Sequence, residues 1–70
     1  MNNLSVAHEI AIEELSEKYN IIATYEQAEA VLDALDETGQ EWLRTANVKE
    51  VADYIVGVLC NTLPDRDGNY

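Results

Sequence analysis

Few side chains in this sequence can do chemistry. There is one histidine, His8, one cysteine, Cys60, and fourteen carboxylates. A metal site needs partners at ligand spacing, and Cys60 is the only soft ligand besides His8. Nucleophilic catalysis by Cys60 requires His8 as its base and a third group to orient that base, and no residue is marked for the third role. General acid/base work needs a desolvated carboxylate in a pocket, which a few short helices scarcely enclose. The C-terminal "DRDGNY" looks like a piece of a calcium loop. Placing its glycine sixth puts Leu63 where the first aspartate belongs, and the chain stops before the bidentate glutamate. Asp65, Asp67 and Asn69 alone leave a cation under-coordinated. His8 therefore reads as a core histidine, Cys60 as a small apolar residue on a buried helix and residues 65–70 as a flexible tail. No catalytic, cofactor or metal site is expected, and the protein is expected not to be an enzyme. A phosphopantetheine carrier is also disfavoured, because neither Ser5 nor Ser16 lies in an Asp-Ser-Leu setting.

What remains is the carboxylates as a group. "YEQAEAVLDALDETGQEW", residues 25–42, holds six acids and no lysine or arginine. Residues 1–41 carry ten acids and one base, Lys18, a net of −9, whereas residues 42–70 net only −1. Lys18, Arg44, Lys49 and Arg66 are the only four cations and they are dispersed. Nucleic-acid binding draws most of its affinity from such cations, so direct binding to DNA, RNA or an anionic membrane is disfavoured.

The elements that must position these acids follow from apolar spacing and caps. Seventy residues make one domain, which buries only roughly 60% of its unfolded surface. The apolar fraction of 47% is enough for a core despite the net charge of −10. We expect an all-α bundle of three main helices plus one short helical turn, filling residues 1–64. No apolar run is long enough to span a membrane, and one cysteine allows no internal disulfide, so a soluble cytoplasmic protein is expected.

The first helix opens at an expected Ser5 cap, with Glu9 early enough to favour the positive end of its dipole. Leu4, His8, Ala11, Ile12, Leu15 and Tyr19 form its inner face, and Asn20 closes it. The second opens at Thr24 with Gln27 as capping-box partner, turns Tyr25, Ala28, Val31, Leu32 and Leu35 inward and stops at Gly39. Residues 40–45 form the short turn that brings Trp42 and Leu43 onto the core. Asn47 caps the third helix, with Glu50 as partner, and Pro64 ends it. Val48, Val51, Ile55, Val58, Leu59 and Thr62 line one face of that helix. Tyr54, Val56 and Cys60 extend the apolar surface further around. Gly57, mid-helix, marks an expected close approach of another backbone.

On this framework Glu9, Glu13, Glu17, Glu26, Glu29, Asp33, Asp36 and Glu37 face outward from the first two helices. Along these two expected helices like charges three or four residues apart occur seven times, at roughly 0.2 to 0.5 kcal/mol each, and Asp36 and Glu37 sit at the unfavourable end of a helix dipole. Such placement suggests that the acids serve a binding role. The partner expected is a protein with a basic surface, such as one that normally holds nucleic acid, blocked through matched charge. Acids at i, i+4 rise about 6 Å, against about 3.4 Å per phosphate along a DNA strand, so the phosphate pattern itself is not copied. In size and charge alone the chain resembles the small acidic inhibitors that phages and plasmids make against restriction or CRISPR effectors. The alternative is an assembly subunit that forms a homodimer through Tyr54, Val56, Gly57 and Cys60 of the third helix.

Overall fold

The computed structural model describes residues 4–63, so Pro64 and the expected tail lie outside the described residues. Four helices occupy them, with no strand: α1 (Leu4–Lys18), α2 (Tyr25–Asp33), α3 (Glu37–Thr45) and α4 (Val48–Thr62). The chain is all-α, as the spacing predicts. The expected long second helix and single turn are instead two helices of nine residues each.

Each junction has a local cause. Asn20 takes the left-handed conformation at φ 57°, which asparagine tolerates better than most residues. The Leu15 carbonyl then accepts from both Tyr19 N–H (3.2 Å) and Ile21 N–H (2.9 Å). That reversal turns Ile21 and Ala23 into the core and leaves Ile22 outside. Thr24 Oγ1 accepts from Gln27 N–H at 3.1 Å, and Gln27 Oε1 accepts from Thr24 N–H at 2.8 Å, the reciprocal cap expected from the sequence. Asn47 Oδ1 accepts from Glu50 N–H at 2.8 Å. Glu50 returns the contact to the Asn47 side-chain amide, 2.9 Å away, rather than to its backbone.

At the α2–α3 corner the sequence reading needs correction. Asp36, not Gly39, is the punctuation mark: its Oδ1 accepts from Gly39 N–H at 2.9 Å and caps α3. Gln40 reaches back from α3 and donates to the carbonyls of Leu32 (2.9 Å) and Leu35 (3.3 Å), tying α3 to the end of α2. Gly39 lies inside α3, where a Cβ would stand 2.8 Å from the Leu35 side chain, so any larger residue forces Leu35 to shift. Gly57 is the reverse case. It is exposed, and a Cβ there meets nothing within 4 Å, so no backbone approaches it within the domain.

The core is built by α1, α2 and α4, with α1 and α4 packing most extensively, while α3 makes only minor contacts. Leu15, Val51 and Ile55 are its largest enclosed side chains, and alanines at 7, 11, 28 and 52 let the helices lie close. Leu43 is buried and Trp42 packs against the core, as expected. Several other face assignments shift. Ser5 lies in the first turn of α1, which already includes Leu4, and Glu9 falls beyond that turn. Tyr19, past the end of α1, is exposed, as are Tyr25 and Thr62, and Leu35 is only half-buried. None of the four helices is long and apolar enough to cross a membrane.

Candidate functional site

The eight outward acids do not form one face. They fall into three groups set by the helices that carry them. On α1, burial of Ala7, His8, Ala11 and Leu15 fixes the inner arc, so Glu9, Glu13 and Glu17 point to solvent. On α2, burial of Ala28, Val31 and Leu32 leaves Glu26, Glu29 and Asp33 along the exposed side. Among the described residues the ion pairs are Lys18–Glu14 (3.8 Å), with Glu14 half-buried, and Lys49–Asp53 (3.5 Å), exposed on both sides; each spans four residues. Among the described residues, those two pairs leave all six of the outward acids on α1 and α2 without an ion-pair partner.

Asp36 and Glu37 form the third group, and their role differs from the expectation. They open α3, where negative charge is favourable, rather than closing α2, where it is not. The α2 pairs 33/36 and 33/37 therefore do not share a helix, and five of the seven repulsive spacings stand. Glu37 with Glu41 on α3 and Glu50 with Asp53 on α4 are further pairs at such spacing, outside the first two helices. The signal for the correct boundary was present in the sequence, since Asp36 followed by an acid at the next position is a helix-opening pattern.

The α1 surface also carries apolar side chains outside the core arc. Val6 and Ile10 lie outside, at 36% and 40% exposure, four residues apart and in line with Glu13 and Glu17. Beside them Ile10, Glu13, Glu14, Glu17 and Lys18 line a shallow open groove of about 240 Å³. Charge and apolar surface are thus adjacent on one helix. The helical wheel that assigned Leu4, Ala11 and Leu15 inward already implied this position for Val6 and Ile10.

The residues considered for self-association have mixed settings. Val56 is enclosed in the domain's own core at 5% exposure, and Cys60 is half-buried. Tyr54 is exposed on one side and meets Trp42 edge-on, with ring centroids 5.6 Å apart and planes at 67°. Gly57 lies open on the far side of α4. A second groove of about 330 Å³, largely apolar, runs between α2 and the C-terminal part of α4.

His8 is buried at 5% exposure, with Tyr25 edge-on above it at 4.7 Å between centroids. Among the described residues neither ring nitrogen has a hydrogen-bond partner. Among the described residues no group of three or more His, Cys, Asp or Glu side chains is placed to hold a metal ion. Comparison with protein-family models, curated proteins and solved structures yields no match to this chain.

Proposed function

We propose that this is a non-enzymatic binding protein that uses the acidic outer surface of α1 and α2 to cover a basic surface on a protein partner. Competitive occlusion of a nucleic-acid-binding surface, of the kind exerted by phage- and plasmid-encoded inhibitors of restriction or CRISPR effectors, is the mode this charge suits. The observation that carries the reading is the set of six carboxylates on two adjacent helices that have no ion-pair partner among the described residues. Five like-charge neighbours on those helices cost roughly 1 to 2.5 kcal/mol at low salt, an appreciable part of a small domain's stability. A few lysines would remove that cost, so its persistence favours a use for the charge. Asp36 and Glu37 contribute to the field, but Asp36 is already engaged as a helix cap.

Self-association through α4 has weaker support. Val56, the most apolar member of the proposed contact, is already covered by the chain itself.

Charge-matched association is fast and falls steeply with ionic strength. The test is capture of the partner from the native host, followed by kinetic measurement at low and high salt. Reversing Glu13, Glu29 and Asp33 together should slow association strongly with the fold intact. A partner whose affinity ignores both salt and the triple reversal would leave the acids as solubilising groups only.

A further inference from the structure

The exposed stripe of α1 has a definite geometry. Val6, Ile10, Glu13 and Glu17 follow one another at spacings of four, three and four residues, the rhythm by which one helix contacts another lying along it. Over about 1.5 Å of rise per residue the stripe is roughly 16 Å long. Its first half is apolar, its second half is acidic, and the open groove at Ile10 lies alongside. No element of the described chain covers it, as the exposure of Val6 and Ile10 shows.

We infer that this stripe docks an amphipathic helix of the partner protein, one that sets apolar side chains against Val6 and Ile10 and lysine or arginine against Glu13 and Glu17. The inference rests on the proposed function and narrows it, from a basic surface in general to a cationic helix seated on α1. Charge complementarity selects this occupant. A second copy of α1 fails in both in-register arrangements: laid parallel, Glu13 and Glu17 meet their own counterparts, and laid antiparallel, they are pressed against Val6 and Ile10. Nucleic acid and anionic membrane carry the same sign of charge as the stripe. A purely apolar helix would strip water from two carboxylates and return no partner for them.

The test uses three synthetic helical peptides and the full chain, with binding followed by ¹⁵N–¹H NMR titration at low and high salt. The matched peptide carries Leu, Leu, Lys, Lys at its four contact positions. The control has the same composition with the order alternated, which fits the stripe in neither direction. The third peptide replaces the two lysines of the matched one with glutamate. The matched peptide should bind more tightly than the control and shift amides on the outer side of α1 rather than on α2. Ile10→Ser should weaken it roughly tenfold, the scale set by losing one apolar contact. Glu13→Lys with Glu17→Lys should abolish binding of the matched peptide and confer binding of the glutamate peptide. Circular dichroism of each variant verifies that these surface changes leave the helices in place. Equal, salt-sensitive binding of matched and control peptides, unaffected by Ile10→Ser, would overturn this inference while leaving a diffuse acidic surface as the binding site. Failure of both lysine peptides to bind at low salt would overturn the acidic-surface reading as well.

Discussion

Asp33 and Asp36 stand three residues apart in an acidic run, and lysine at these two positions should have opposite effects. Asp33 is the last residue of α2, where the helix presents its negative end, and Glu29 lies one turn behind it. Asp36 is the N-cap of α3. Asp36→Ala removes the 2.9 Å bond to Gly39 N–H, a loss of about 1 kcal/mol for a cap of this kind. Asp36→Lys additionally replaces a favourable charge at the positive end of α3 with an unfavourable one, at about 0.5 kcal/mol for each change, bringing the total to about 2 kcal/mol. In a domain of this size 1 kcal/mol moves Tm by roughly 4 to 8 °C, so both effects are measurable. Asp33→Lys removes one repulsive pair and places a cation at a helix C-terminus, which should raise Tm by a few degrees. Thermal and urea unfolding of the three variants, followed by far-UV circular dichroism, reads the difference directly. If Asp36→Lys stabilises as Asp33→Lys does, the acidic run acts only through its summed charge, and the capping argument fails.

Other outcomes follow from single features. Added salt up to about 0.3 M should stabilise the isolated protein, because exposed like charges are screened within roughly 6 to 10 Å; a flat response in urea titrations would mean that the repulsion is already compensated. Gly57→Ala should stabilise by about 1 kcal/mol through helix propensity, since space is open there, whereas Gly39→Ala should destabilise despite the same propensity gain because its Cβ strikes Leu35. Paired melting curves decide both. His8→Leu should stabilise by about 1 kcal/mol, since a buried imidazole without partners among the described residues gives up its hydration for nothing; a lower urea midpoint would show that its nitrogens are satisfied in solution.

Much of the fold could be read from the chain because its signals are local. Thr24 with Gln27 and Asn47 with Glu50 mark helix starts within four residues, and the inward sets on α1 and α4 are largely spacing. The α2–α3 corner was harder for a physical reason. Residues 31–36 continue the helical apolar rhythm through Leu32 and Leu35, so periodicity alone runs on toward Gly39. What breaks the helix is a competition between side chains and backbone. Asp36 offers an acceptor to Gly39, and Gln40 adds side-chain donation to the Leu32 and Leu35 carbonyls beside the end of α2. The need for glycine at 39 is local, since it makes room for Leu35 four residues before it, but it arises only because the chain turns a corner between them. At the candidate site the exposed acids were legible from the wheel. The apolar pair Val6 and Ile10 was equally accessible, but a search for core positions discards apolar residues that fall outside the core arc.

The slight attachment of α3 has an experimental consequence. Trp42, the only tryptophan, sits on that helix against Tyr54 of α4, while the dense packing involves α1, α2 and α4. Helices held by few buried contacts open locally at a lower free energy than the rest of a protein, and their amides exchange with solvent sooner. Tryptophan emission in this molecule is therefore a report on α3 and its α4 contact, and helical ellipticity is chiefly a report on the other three. Where the two unfolding curves separate, their gap measures how far the α3 segment opens while the remaining helices stay packed.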